Sequence, residues 1–148
     1  MAEKIDFLIL SDLEVESKEK AIECIIEKLE QENYLNDKEQ FFKDVVERES
    51  KYPTYIGYGM GLPHSQSMVV NRPCVAISRL KNSIDWTAEK EKVDTIFLIA
   101  VPKESKDNLH LKILAKLSRL LMHEDFREGV KNLKEKELLE LLNKKIEE

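Results

Sequence analysis

Glycine, cysteine and histidine are all scarce in this chain, so the positions where they occur carry information. The two cysteines, Cys24 and Cys74, fit no metal-ligand spacing. Cys24 sits among Ile22, Ile25 and Ile26, and Cys74 follows Pro73; both read as small apolar side chains. No apolar run is longer than Ile96 to Val101, far short of the ~20 residues a membrane-spanning helix needs. The opening residues Met1 to Asp6 lack the basic and apolar regions of a secretory leader. A cytoplasmic location is expected by exclusion, with no direct membrane insertion. Basic residues number 24 against 29 acidic ones and are interspersed with them, leaving a net charge of −5. No basic footprint for nucleic acid remains. Repeats, low-complexity tracts and Pro/Gly/Ser-rich linkers are also missing, which predicts one continuous domain over 1–148.

What is present alternates between two periodicities. A short apolar stretch, Phe7 to Leu10, precedes Ser17, a good helix N-cap. Ala21, Ile22, Ile25, Ile26 and Leu29 then recur at helical spacing. Asn36 or Asp37 caps a second helix with Phe41, Phe42, Val45 and Val46 inward, and Pro53 requires that helix to stop before it. Two strands are expected at Cys74 to Leu80 and Ile96 to Val101, with Asn82 to Trp86 as a turn and Glu89 to Lys92 as a polar loop. A helix from Asp107 or Asn108 carries the stripe Leu111, Leu114, Leu117, Leu120 and Leu121. Gly129 interrupts the pattern that follows, and a last helix bears Leu138, Leu139, Leu141, Leu142 and Ile146. Interleaved helices and strands predict an α/β single domain, a mixed β-sheet flanked by helices on both faces.

Three of the four glycines, Gly57, Gly59 and Gly61, fall in one stretch that ends at Pro63-His64. Such a segment breaks any helix and fixes an unusual backbone path, holding one side chain in a set place. An imidazole of ordinary pKa about 6.5 is mostly neutral near pH 7 and usable as a nucleophile. The spacing is neither that of a P-loop, for no Lys-Ser or Lys-Thr follows Gly61, nor that of a dinucleotide fingerprint. Ser65 has no nucleophile-elbow context.

His110 falls in the first turn of the third helix, where free N–H groups and the helix dipole favour an anion and a neutral imidazole. His123 falls at the far end of that helical run and reads as structural. Arg48 offers the planar, permanently charged fork that suits a phosphoryl group, although its acidic neighbours make a surface ion pair the default. Arg72 and Arg79 are weaker candidates. Tyr55, Tyr58, Met60 and Met68 are possible rim residues around the glycine segment. The histidines form no recognisable metal motif, so no metal and no cofactor are expected.

The stretch from Arg48 through Thr54-Tyr-Ile-Gly-Tyr-Gly-Met-Gly-Leu-Pro to His64 resembles the active-site signature of the type-2 enzyme IIA family. This is the fructose/mannitol class of the bacterial sugar phosphotransferase system. Ile84-Asp85-Trp86, Ile96 to Pro102, Leu109-His110 to Leu117 and Leu121 to Arg127 continue the likeness in order, most closely with the fructose-type branch. The resemblance implies a phosphocarrier. His64 matches the histidine that receives phosphate, by family likeness on Nε2, from the histidine-containing phosphocarrier protein and passes it to a cysteine of enzyme IIB. Arg48 and His110 match the arginine ahead of the glycine segment and the second active-site histidine. The family usually has Ala at the place of Gly61, often Gly or Ala at that of Ser65, and more usually Ser at that of Pro53. A second reading keeps the same histidine as a regulatory switch, resembling nitrogen-regulatory relatives, with no sugar moved.

Overall fold

The computed structural model describes residues 4–105 and 107–147; the first three residues, read above for the lack of a leader, lie outside them. The element order is β1 (Asp6–Leu13), α1 (Lys18–Gln31), α2 (Lys38–Lys51), β2 (Tyr55–Gly57), β3 (Met60–Gly61), β4 (His64–Ser67), β5 (Cys74–Asp85), β6 (Lys92–Pro102), α3 (Leu109–Leu120), α4 (Glu124–Asn132) and α5 (Glu135–Glu147). The sheet runs β1-β5-β6-β3-β2. β5 and β6 pair antiparallel, β1 runs parallel to β5, and β3 and β4 run parallel to β6.

Two core clusters follow from strand alternation, which sends successive side chains to opposite faces. Cys74, Ala76, Ile96, Leu98 and Ala100 face α1 and α2, where Ile22, Ile25, Leu29, Phe41 and Val45 are buried. Val75, Ile77, Phe97, Ile99 and Val101 face α3, α4 and α5, represented by Ile113, Leu117, Phe126, Val130, Leu138 and Leu142. The central β6 is apolar from Ile96 to Val101, where both its faces are covered. The caps are those the sequence offers: Ser17 Oγ accepts from Lys20 N, and Asp37 carboxylate oxygen accepts from Gln40 N.

Several local expectations give way. Asn82 to Asp85 do not form a turn; β5 continues through them with an irregular register between Arg79 and Ile84. The extra residues leave Lys81, Asn82 and Ser83 exposed, while Ile84 and Trp86 return to the core. The connection to β6 is tighter and later, closed by Trp86 N donating to Glu91 O. On α3 the buried row is Leu109, Ile113 and Leu117, extended by Leu121, and Leu111 is 54% exposed. Its N-cap is Asn108 in a left-handed conformation, with no side-chain cap bond. Gly129 lies inside α4, where a Cβ would sit 3.0 Å from the Leu141 side chain, so its role is close helix packing and not interruption. His123 is the exposed N-cap residue of α4, and its carbonyl accepts from Arg127 N.

Candidate functional site

β3 and β4 lie end to end along one edge of β6: Met60 and Gly61 oppose Thr95 and Ile96, and His64 to Ser67 oppose Ile99 to Pro102. Only Leu62 and Pro63 separate them, and the register against β6 is the same on both sides, Gly61 opposing Ile96 and His64 opposing Ile99. Leu62 N donates to Thr54 O, and Pro63 O accepts from Ile99 N. Gly57 and Gly59 hold φ of +88° and +74° on either side of Tyr58, itself at +57°. Only glycine adopts such angles readily, so the run of glycines is what lets β2 turn back into β3. The segment is therefore two short strands and not an open loop, and His64 opens the strand that follows.

His64 is 7% exposed. Its Nδ1 lies 3.0 Å from Leu62 O. A carbonyl can only accept, so Nδ1 carries the proton and the lone pair is left on Nε2. Nε2 has no hydrogen-bond partner among the described residues and is not sealed from solvent. Burial lowers the pKa of the ring below its ordinary value, with Arg48 and His110 acting in the same direction. The Leu62 bond and the Glu49 charge oppose them. The net result is a neutral, oriented imidazole.

Both expected neighbours act electrostatically on the ring. Arg48 comes from the last turn of α2, half-buried, with Nη1 3.4 Å from Tyr52 O and its guanidinium 5.8 Å from the Tyr52 ring. Among the described residues it has no carboxylate within ion-pair distance; Glu47 pairs with Lys51 and Glu49 with Lys18. The surface pair expected by default is not made. Arg48 instead lines a cleft of about 490 Å³ with Lys51, Ser65, Ser67, Met68 and Lys103, beside the strand that His64 opens. His110 stands in the first turn of α3, and its Nδ1 is buried without a partner among the described residues. A proton there would strand a buried donor, so the tautomer protonated on Nε2 is the cheaper one.

The weaker candidates have structural duties. Arg79 donates to the carbonyls of Val130 and Leu133 at the end of α4 and to Ser11 Oγ. Arg72 stacks over Tyr34 at 4.3 Å and pairs with Asp6 at 3.7 Å. Of the rim residues, Met60 is fully buried and Tyr55 packs on the core. Tyr58 is pinned at the hairpin tip beneath Arg127 at 3.7 Å, level with Asp94, near the other end of β6. Met68, 73% exposed, is the one that borders the Arg48 cleft.

Two residues near the site escaped the sequence reading. Glu49 is only 3% exposed although it adjoins Arg48. It continues the buried row Phe41, Val45, Glu49, and that four-residue spacing was the available signal. Trp86, taken for a turn residue, packs so closely over Gly61 that a Cβ there would lie 2.6 Å from its ring.

The sequence pattern described as "Phosphoenolpyruvate-dependent sugar phosphotransferase system, EIIA 2" matches residues 4–145. The fructose-specific EIIA component of the phosphotransferase system from Haloferax volcanii is 34% identical over 125 residues, covering 84% of this chain and 80% of that protein. Among solved structures, the nitrogen regulatory protein IIA-Ntr from Neisseria meningitidis superposes with a TM-score of 0.77 at 25% identity, over 94% of this chain and 92% of the other. The complex of enzyme IIA and phosphorylated enzyme IIB for mannitol from Escherichia coli gives a TM-score of 0.74 at 21% identity, covering 90% and 92%. That last likeness is one of fold. With the pattern spanning residues 4–145 and a relative of 34% identity, the chain belongs to the type-2 EIIA family of the phosphoenolpyruvate-dependent sugar phosphotransferase system, a phosphotransferase component.

Proposed function

We propose that this protein is a cytoplasmic phosphocarrier, in which His64 takes a phosphoryl group from the histidine-containing phosphocarrier protein and hands it to a cysteine of enzyme IIB. The observation that carries the reading is the His64 ring itself, neutral by burial and fixed by the Nδ1–Leu62 bond with Nε2 open. Nε2 attacks phosphorus in line. A P–N bond forms on His64 as the donor's P–N bond breaks, and that electron pair returns to the donor's ring nitrogen. Nδ1 keeps its proton, and Leu62 O steadies the positive ring that results. In the second step a thiolate of the acceptor attacks phosphorus and the pair returns to Nε2.

Phosphoryl transfer of this kind is mostly positioning and charge stabilisation. The Arg48 guanidinium, the first-turn dipole of α3 and an Nε2–H of His110 supply donors for the phosphoryl oxygens. No nucleotide or metal takes part in the step. Sugar transport is preferred over regulation because the 34% identical relative is a fructose-specific protein, whereas the nitrogen-regulatory neighbour stands at 25%. Genes for enzymes IIB and IIC beside this one would agree with transport.

The test is incubation with phosphoenolpyruvate, enzyme I and the phosphocarrier protein, followed by intact mass. The wild type gains one acid-labile phosphoryl group, His64→Ala gains none, and His110→Ala gains it slowly. Labelling of His64→Ala at the wild-type rate would refute the assignment.

A further inference from the structure

Glu49 is a buried acid that the transfer steps above do not use. Its carboxylate accepts from Thr54 N and from Thr54 Oγ1, each at 2.7 Å, and pairs with Lys18 Nζ at 3.1 Å. Thr54 is the last residue before the β2–β3 hairpin, and its carbonyl accepts from Leu62 N at 2.9 Å. Leu62 in turn presents the carbonyl that fixes His64 Nδ1. An unbroken series of bonds therefore runs from the Lys18 ammonium through Glu49, Thr54 and Leu62 to the imidazole. Lys18 is itself held at both ends: Nζ donates to Trp86 O at 3.1 Å and lies 4.4 Å from the centre of the Trp86 ring, which covers Gly61.

We propose that Glu49 is a positioning residue for His64, clamping Thr54 so that the Leu62 carbonyl holds the imidazole in its Nδ1–H tautomer. Two features separate this from an ordinary structural ion pair. A buried ion pair contributes little net stability over an apolar pair of the same shape, because both charges lose their water. A carboxylate that takes both the N–H and the hydroxyl of one residue, however, removes that residue's freedom to tilt. Thr54 O also accepts the one backbone bond that Leu62 N makes among the described residues. The groups that act electrostatically on His64 are Arg48 from α2, His110 from α3 and Glu49 itself. Loss of the Glu49 charge leaves the Arg48 guanidinium with no counterweight, which also favours the neutral ring. Glu49 thus acts on the tautomer and placement of His64 and is not needed to keep the ring uncharged.

The inference rests on His64 being the phosphoryl acceptor, and its experiment reads the two ideas separately. Imidazole ¹⁵N shifts report the tautomer of His64 without any transfer, while phosphoramidate, a small donor, reports its reactivity with no protein partner to dock. The variants are Glu49→Gln, Lys18→Met combined with Glu49→Gln so that no ammonium is stranded, Thr54→Val, and Thr54→Ser as the conservative control. The wild type shows a single Nδ1–H tautomer. Glu49→Gln, the double variant and Thr54→Val show mixed tautomers and phosphorylation slowed about tenfold, in keeping with the sensitivity of transfer to small displacements; Thr54→Ser restores both. Wild-type tautomer or wild-type rate in folded Thr54→Val and in the folded double variant would overturn the role of Glu49. Failure of the wild type to label on His64, with the tautomer still responding to Glu49, would instead overturn the phosphocarrier reading.

Discussion

Arg48 and Glu49 are consecutive in α2 yet serve opposite sides of it: the guanidinium lines the open cleft beside β4, and the carboxylate is buried against Thr54 and Lys18. A step of one residue turns a helix by roughly 100°, enough to put one charge at the cleft and the next against Thr54.

Arg48 is expected to matter for rate and not for stability. Its contacts are one long bond to Tyr52 O and a distant ring. Arg48→Lys keeps the charge and loses the planar fork. Phosphorylation should slow by about a hundredfold, the range seen on removing one transition-state donor, while the urea midpoint stays that of the wild type. A stability loss equal in scale to the rate loss would contradict the assignment.

Acid should destabilise the fold through His64. Burial lowers its pKa in the folded state, whereas the unfolded chain takes up the proton near the ordinary value of about 6.5. Between that value and the lower folded one, the unfolded state binds more protons, so stability falls as pH falls through this window and is unaffected above it. Urea titrations at pH 7.5 and 5.5 (chosen either side of about 6.5) check this against His64→Gln, which lacks the titrating ring. The wild type should lose more stability on acidification than the variant. Equal losses would mean the ring titrates alike in both states.

Gly61→Ala should be costly here even though the family usually carries alanine at that place. The added Cβ would lie 2.6 Å from the Trp86 ring. Overpacking of this kind costs about 1–3 kcal/mol, read as a lowered urea midpoint. Trp86→Leu removes the obstructing ring, and in that background the glycine-to-alanine change should cost much less. Equal cost in both backgrounds would show that Trp86 is not what demands the glycine.

Much of this architecture was legible in the chain because the helices are amphipathic and β6 carries the apolar run Ile96 to Val101. Ser17 and Asp37 start their helices where the capping signals say they should. Interleaved periodicities pointed to the mixed sheet with helices on both faces, and the glycine run ending at His64 singled out the candidate site. The failures share one cause, which is that tertiary packing decided what local pattern could not. Polar Asn82 and Ser83 look like a turn, yet they are the solvent side of an irregular strand whose neighbours Ile84 and Trp86 are buried. Leu111 looks like core, but the buried row of α3 runs through Leu109, Ile113 and Leu117 instead. Glu49 looks like a surface acid because glutamate seldom lies inside; only its partners, Thr54 beyond the helix end and Lys18 on another helix, make burial affordable.

The most direct measurement of the central claim is heteronuclear ³¹P–¹⁵N NMR on the protein after phosphorylation by the donor system. One phosphoryl group bonded to Nε2 of His64, with Nδ1 still protonated against Leu62 O, is the predicted result. A phosphoryl group on Nδ1, on His110, or on any residue other than His64 would contradict it.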